Sequence, residues 1–175
     1  MPVAELPDHL DLGRHRDAST RGELVARWFV LAAIAALAVA ALLGVFGQRP
    51  VESATTAGAA DLEVSAPARL RGGLFFQGRF TVDARQPLEN ATLVLAPGWL
   101  ESMSINTIEP APAEEASRDG DLALSFGSLG EGERLVVYMQ FQVNPTNVGH
   151  RDASVSLYDG GTLVTTDDRT ITVFP

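Results

Sequence analysis

The chain contains no cysteine and no lysine, and only 7% of its residues are aromatic. The lack of cysteine excludes disulfides, thiolate metal sites and a cysteine nucleophile. All 13 basic residues are arginines, and 22 acidic residues outnumber them, which gives a net charge of −9. Because binding to phosphate backbones needs a basic surface, this charge argues against a nucleic-acid partner.

The sequence is also poor in groups that carry catalysis. Its three histidines, His9, His15 and His150, are too few and too scattered for a zinc site. It has neither a G-x-S-x-G nucleophile motif nor a G-x-x-x-x-G-K phosphate loop. We therefore predict a protein that is not an enzyme, with no catalytic residue, no metal ligand and no cofactor.

A calcium site is an alternative that the sequence allows, because oxygen ligands in loops suffice for that ion. The candidate carboxylates are those of Asp119, Asp121, Asp159, Asp167 and Asp168. A triad built from His150, Asp152 and a serine is a weaker alternative, since nothing places a serine on a strained turn.

One long apolar run dominates the N-terminal part of the chain. "WFVLAAIAALAVAALLGVF", residues 28–46, has 19 residues without a charge. As a helix it spans roughly 28 Å, close to the thickness of a bilayer core. Signal peptides have shorter apolar cores and a small-residue cleavage site close behind. Here Ala57 and Ala59 lie more than ten positions beyond the run, so we predict an uncleaved transmembrane anchor.

The distribution of arginines predicts the orientation of this anchor. Arg49 alone follows the run closely. Four arginines precede it: Arg14, Arg16, Arg21 and Arg27. Positive residues stay on the cytoplasmic side, so we expect a single-pass cell-membrane protein with a cytoplasmic N-terminus and an extracytoplasmic C-terminal domain. Trp28 fits an aromatic anchor at the inner interface.

We predict four segments along the chain. Residues 1–19 form a flexible cytoplasmic tail, 20–46 a helix that contains the span 28–46, 47–60 a linker, and 61–175 the extracytoplasmic domain. Thr20 and Glu23 form a capping box at the helix start. Within the span, Ala32, Ala36 and Ala40 recur every four residues, a spacing that favours close packing against another helix.

The C-terminal domain shows short alternating runs separated by turn residues, which is typical of an all-β fold. We predict an immunoglobulin-like antiparallel β-sandwich of about seven to eight strands. The eight predicted strands are 62–66, 74–83, 91–96, 102–108, 121–127, 134–143, 153–158 and 162–174. If successive strands alternate in direction, the connections 84–90, 109–120 and 144–152 lie at the end nearest the membrane.

The connection "NPTNVGHRD", residues 144–152, is the most polar interruption of this pattern. It is either a turn between two strands or a binding loop. In the second case the side chains to test are those of Asn144, Asn147, His150 and Arg151, facing a neighbour at the membrane surface.

Two stretches carry a resemblance to known modules. "LENATLVLAPGW" followed by "GDLALSFGSLGEGERLVVYMQFQV" resembles bacterial extracellular immunoglobulin-like modules of the conserved-repeat type. The whole layout resembles small actinobacterial single-span membrane proteins of uncharacterised function. The matching motifs are Phe46–Pro50, Pro97–Trp99, Ile105–Pro110, Asn144–Gly149 and Arg169–Pro175. The resemblance implies the fold and the membrane anchor, but no activity.

The expected function is that of a non-catalytic accessory or interaction subunit in a membrane or envelope complex. The alternative is a membrane-anchored module that binds an envelope component or another ligand. The expected partners are the lipid bilayer and a second membrane protein or a second copy of the chain.

Overall fold

The computed structural model describes residues 21–45 and 48–175. The chain divides into two compact units, one ending at Val45 and the other beginning at Phe46. The predicted tail, including Arg14, Arg16 and the Thr20 cap, lies outside the described residues.

The first unit contains helix α1, Arg21–Leu42. The sequence predicted a helix up to residue 46, but the helical part ends four residues earlier. Gly44 explains this end, because it adopts φ 70°, the left-handed conformation with which glycines commonly terminate helices. Its amide donates to Ala41 O at 2.9 Å, and the Val45 amide donates to Ala40 O at 3.0 Å.

Helix α1 is about 33 Å long at ~1.5 Å per residue. By length and composition, Gly22–Leu42 is able to cross a membrane, although a signal sequence near an N-terminus has the same properties. Trp28 and Arg27 lie near its start, and Arg21 is its first residue. Ala32, Ala36 and Ala40 share one face because residues four apart are neighbours on a helix. Their packing role stays a prediction.

The second unit is built from thirteen strands within residues 48–175. They are β1 Pro50–Thr56, β2 Ala60–Pro67, β3 Arg69–Arg71, β4 Phe75–Ala84, β5 Ala91–Leu95, β6 Met103–Glu109, β7 Glu114–Arg118, β8 Asp121–Ser125, β9 Arg134–Val143, β10 Gly149–Asp152, β11 Val155–Asp159, β12 Thr162–Asp167 and β13 Thr170–Phe174.

These strands form two main sheets and one small sheet. We call the sheet ordered β1-β2-β4-β9-β6 the front sheet and the sheet ordered β12-β11-β5-β8-β7 the back sheet. The small sheet has the order β10-β13-β3 and contains a parallel pair, β13 with β3. The other pairs are antiparallel, and the predicted immunoglobulin-like β-sandwich is confirmed.

Four strands were missed by the sequence analysis. Strand β1 lies inside the segment predicted as the linker 47–60, yet it pairs with β2 over its whole length, from Pro50↔Pro67 to Thr56↔Asp61. Strands β3, β7 and β10 also fall in predicted loops, and the predicted last strand is divided into β12 and β13. Strand β7 is exposed along almost its entire length, so it carries none of the buried apolar alternation that identifies a strand.

These missed strands change which connections share an end of the sandwich. We call the end that contains the Pro50↔Pro67 pair the Pro50 end. Strand β4 starts there and β9 finishes there, since Phe75 pairs with Gln142. The connection 84–90 therefore lies at the opposite end, because β1 reverses the predicted direction. The connection after β9 lies at the Pro50 end, so it does not share an end with 84–90 as the sequence analysis expected.

Trp99 occupies the centre of the core between the two main sheets. A 3₁₀ turn, Pro97–Trp99, follows β5 and directs the indole inward, where it is fully buried. The ring centroid lies 5.0 Å from that of Phe141, 5.4 Å from that of Phe80 and 6.4 Å from that of Phe76. The indole Nε1 donates to Ala153 O at 2.8 Å, which satisfies its buried polar group.

Gly98 permits this turn to approach β10 closely. A Cβ at position 98 would overlap the Asp152 carbonyl oxygen and would lie 2.9 Å from Arg151 Cβ. The backbone cannot yield easily there, since β10 is held by its four pairs with β13. The "PGW" motif is thus a packing requirement as well as a turn signal.

We predict that Gly98→Ala destabilises the domain by about 3 kcal/mol, the upper end of the cost of overpacking. Urea denaturation of the full chain in detergent, followed by tryptophan fluorescence, measures this effect. A Trp28→Phe background leaves Trp99 as the only tryptophan. Gly161→Ala is the matched control, because a Cβ there meets no atom within 4 Å. Equal denaturation midpoints for the two variants would contradict the prediction.

Candidate functional site

The connection after β9 is fastened to the rest of the domain by Asn147. This side chain is 2% exposed. Its amide nitrogen donates to Glu101 O at 3.2 Å and to Ser102 O at 3.4 Å. Ser102 has a positive φ of 56°, so Asn147 holds a turn that is conformationally demanding. This burial contradicts the expectation that Asn147 presents its side chain to a partner.

Arg151 belongs to the same internal arrangement. One of its terminal nitrogens donates to Asn147 Oδ1 at 3.0 Å and to Val148 O at 3.3 Å. Its Nε lies 3.6 Å from Glu101 Oε2, and its side chain is only 25% exposed. The guanidinium is therefore engaged within the loop, and the prediction that it presents itself to a neighbour is not supported by this geometry.

Asn144 and His150 remain exposed. Asn144 Oδ1 accepts hydrogen bonds from the Thr146 amide at 3.1 Å and the Thr146 hydroxyl at 2.9 Å, which shapes an Asx turn. His150 Nδ1 lies 3.0 Å from Thr172 Oγ1 on β13. The geometry thus favours the turn interpretation of residues 144–152, while binding by Asn144 or His150 stays a prediction.

The carboxylates considered for calcium are dispersed. Asp159 Oδ1 accepts a bond from the Asn90 amide at 2.9 Å, whereas Asp167 is buried and accepts a bond from the Ser53 hydroxyl at 2.5 Å. Within residues 21–45 and 48–175 no group of three histidine or acidic residues is placed to hold a metal ion. Asp152 accepts bonds from the amide and hydroxyl of Ser154.

Asp121 is the carboxylate with the clearest electrostatic perturbation. Partial burial raises its pKa above the ordinary aspartate value, and the charges of Asp152 and Asp119 raise the pKa further. Asp119 and Asp152 therefore repel the Asp121 carboxylate at the start of β8. This repulsion lowers the stability of the folded domain at neutral pH, and the three carboxylates are not arranged as metal ligands.

Arg169 is a second polar group with a structural role. Its guanidinium donates to Val64 O at 3.1 Å and to Ala66 O at 2.8 Å, both on β2. Burial lowers its pKa, and the nearby Asp167 opposes that shift. Because it bonds to backbone carbonyls of the front sheet, Arg169 joins the β12–β13 segment to β2.

The outer face of the front sheet carries charged and aromatic side chains that are open to solvent. Glu52, Ser65, Arg79 and Tyr138 form one row across four strands. Arg79 donates to Glu52 at 3.0 Å and to Glu63 at 2.8 Å. Tyr138 is 41% exposed. The charges in the middle of this face are therefore paired, and the aromatic ring is accessible.

A groove crosses this face beside Arg79 and Tyr138. One part, of about 490 Å³, lies toward the Pro50 end, between Gln48, Pro50 and Gln77. A second part, of about 230 Å³, continues past the same two residues toward Arg134. We call the outer face with this groove the front face. The sequence analysis predicted the strand 134–143 that carries Tyr138, but it did not single out a site there.

The outer face of the back sheet is different, because Arg118 covers part of it and leaves a cavity of about 220 Å³ beside Thr92 and Ser125. The Arg118 guanidinium lies 3.9 Å from the centroid of the Tyr158 ring, a cation–π arrangement. It also donates to Gly160 O at 3.2 Å and to Gly161 O at 3.1 Å. Thr92 and Val94 beneath this region are buried. The front face is therefore the better candidate for an external partner.

No family model and no curated protein sequence matches the chain. Among solved structures it is similar to the CARDB domain of the PF1109 protein from Pyrococcus furiosus, at 16% identity and a TM-score of 0.43, with 70% of this chain and 95% of that chain covered. It is also similar to a non-cellulosomal cohesin from Archaeoglobus fulgidus, at 12% identity and a TM-score of 0.40, with 73% and 92% covered. At these levels the likeness concerns the fold alone.

We predict that Asn147→Ala destabilises the domain by about 1–3 kcal/mol, because it leaves buried carbonyls and Arg151 without their partner. His150→Ala, at an exposed position three residues away, is the matched control and should change stability by less than about 0.5 kcal/mol. Urea midpoints of the full chain measure both effects. A larger loss for His150→Ala than for Asn147→Ala would contradict the structural role of this loop.

We also predict that Asp121→Asn stabilises the domain at pH 7. The raised pKa in the folded state means that ionised Asp121 disfavours folding, and protonation relieves this as the pH falls through the folded-state pKa. The advantage of the variant should therefore shrink as the pH falls toward the ordinary value of 3.8. Urea denaturation across this pH range measures it; an advantage that grows on acidification would contradict the assignment.

Proposed function

We propose that the protein is a non-catalytic, single-pass cell-membrane protein whose immunoglobulin-like domain is an interaction module in a membrane or envelope complex. Helix α1 has the length and composition of a membrane span. The arginines before the apolar run 28–46, including Arg21 and Arg27, favour a cytoplasmic N-terminus and an extracytoplasmic domain.

The front face carries this proposal. Five strands at ~4.8 Å spacing and seven to ten residues at ~3.4 Å give a surface of about 24 Å by 30 Å, on the order of 700 Å². That is close to the ~800 Å² that each partner contributes to a standard protein–protein interface. Tyrosine and arginine are enriched among the residues that dominate binding energy, and Tyr138 and Arg79 lie at the centre.

The helix supplies a second contact. Ala32, Ala36 and Ala40 form a stripe of small side chains along one face of α1, and such stripes let a neighbouring helix approach closely within a bilayer. The partner is then a membrane protein, or a second copy of this chain, that meets both the helix and the front face.

A second candidate function rests on the groove. Gln77 and Gln140 face each other on β4 and β9, two pairs away from Arg79 and Tyr138 and on the same face. Amide groups and an accessible phenol, among charges that are already paired, suit a neutral ligand rich in hydroxyl groups. In this case the domain binds an envelope polysaccharide and needs no membrane partner.

We predict that Tyr138→Ser weakens recovery of the partner about tenfold or more after crosslinking in membranes and purification of the full chain. Leu163→Ser is the matched control, because Leu163 is 52% exposed and lies on β12 of the back sheet. Leu163→Ser should recover the partner at the wild-type level, because the back sheet lies outside the proposed interface.

The outcomes separate the candidates. Equal recovery with both variants, at wild-type level, overturns the front face as the interface. Loss of the partner only with Ala36→Leu/Ala40→Leu assigns binding to the helix. A chain that purifies alone but binds a neutral polysaccharide in a Tyr138-dependent way supports the second candidate over the first.

A further inference from the structure

Apolar exposure in the β-domain is concentrated at one end. Within residues 48–175, eight large apolar or aromatic side chains are exposed, and only Tyr138 and Leu163 lie elsewhere. The other six are at the Pro50 end: Val51, Leu74, Phe75, Leu100, Val148 and Phe174. Singly scattered apolar side chains need no explanation, but a cluster on one end of a domain marks an interaction surface.

Backbone hydrogen bonds bring the segments that carry these side chains together. The Val143 amide donates to Leu74 O at 3.0 Å, and the Gly72 amide donates to Phe174 O at 2.9 Å. Gly149 pairs with Val173, which places Val148 next to the end of β13. The Asn144 amide donates to Ser102 O at 2.9 Å, which joins the turn after Leu100 to the same end. We call these six side chains the apolar rim.

Packing and hydrogen bonds connect the segments that carry the rim. Gly72 packs against Pro145, where an added Cβ would lie 2.9 Å from the carbonyl oxygen. Asn147 fastens the loop that carries Val148 to the turn that follows Leu100. A surface that is already formed in the free domain loses little conformational entropy when it binds.

Arginines accompany the rim. Arg69 and Arg71 are exposed on β3, which follows Pro67 at this end, and Arg71 Nε donates to Pro175 O at 3.1 Å. Long arginine side chains beside exposed aliphatic and aromatic groups are typical of surfaces that rest in the headgroup layer of a bilayer. Glu101 and the acids near Asp121 lie at this end too, so the attraction should come from apolar insertion more than from anionic lipid.

The length of the chain before β1 points to the bilayer as the occupant. Seven residues, 43–49, separate the end of α1 from Pro50, and they span at most about 25 Å. Pro50 is itself at the end that carries the rim. A short tether keeps this end close to the surface from which the helix emerges, so that even a weak contact is populated.

We propose that the apolar rim inserts into the outer headgroup layer of the membrane and seats the domain on the bilayer, with the opposite end of the sandwich directed away from it. This inference rests on the proposed function, because it needs α1 to span the membrane. The front face then stands beside the bilayer surface, accessible to a neighbouring membrane protein.

The absence of cysteine allows a direct test with single-cysteine variants of the full chain in phosphatidylcholine vesicles. Val148→Cys, labelled with an environment-sensitive fluorophore, should be quenched several-fold by lipids that carry a nitroxide at the headgroup or upper acyl chain. Gly161→Cys in the β11–β12 turn at the opposite end is the control and should be quenched little. Equal quenching at the two positions would overturn the proposal.

A second labelled position tests the rim as a unit. With the fluorophore at Leu100→Cys, the substitutions Phe75→Ser and Val148→Ser should reduce lipid quenching at least twofold, while the near-ultraviolet circular dichroism stays unchanged. Unchanged quenching in a folded variant contradicts the proposal. Protection of position 148 from both lipid nitroxides and aqueous iodide also contradicts it, and assigns the rim to a protein partner.

Alkaline carbonate extraction distinguishes a failure of the proposed function from a failure of the rim insertion alone. A chain released by carbonate does not span the membrane, and the proposed function then fails together with the inference. A chain that stays in the membrane while Val148→Cys shows no lipid quenching leaves the proposed function standing and overturns the seating of the rim alone.

Discussion

The insertion of Trp99 between the two sheets is the constraint on which the rest of the domain depends. The indole contacts three phenylalanine rings of the front sheet, and its only polar hydrogen goes to Ala153 O. Gly98 must then lie directly against the carbonyl of Asp152. This one turn fixes the distance between the sheets and the position of β10, and both the loop after β9 and the turn at Ser102 are built upon it.

The two outer faces of the sandwich differ because the arginines on them make different contacts. Arg118 covers part of the back sheet by stacking on Tyr158, and Arg169 joins β2 to the segment before β13. On the front face, Arg79 is neutralised by two carboxylates within the sheet, so the face stays open. The front face therefore offers an aromatic and polar surface, while the apolar exposure of the β-domain is concentrated at the Pro50 end.

Strand β1 shows why the connection to the helix is short. Its sequence, "PVESATT", has no apolar alternation, and its strand conformation comes from pairing with β2. Ser53 bonds to Asp167, and Thr55 meets Thr165 at 3.1 Å, so β1 is also joined to β12 of the back sheet. A segment that looked like a flexible linker is part of the sandwich, which leaves seven residues between α1 and the first strand.

The sequence by itself determined the apolar helix, the all-β class and most of the buried strands, because burial imposes a periodic pattern of side chains. The alternation in β9 is an example: Val137, Met139, Phe141 and Val143 are all fully buried. Tertiary structure decided what no local pattern encodes. It turned Asn147 and Arg151 inward, since their partners at residues 101–102 are distant in sequence, and it gave the exposed strands β1 and β7 their conformation through pairing alone. The front face and the apolar rim arise in the same way, because their side chains come from segments that only the folded chain brings together.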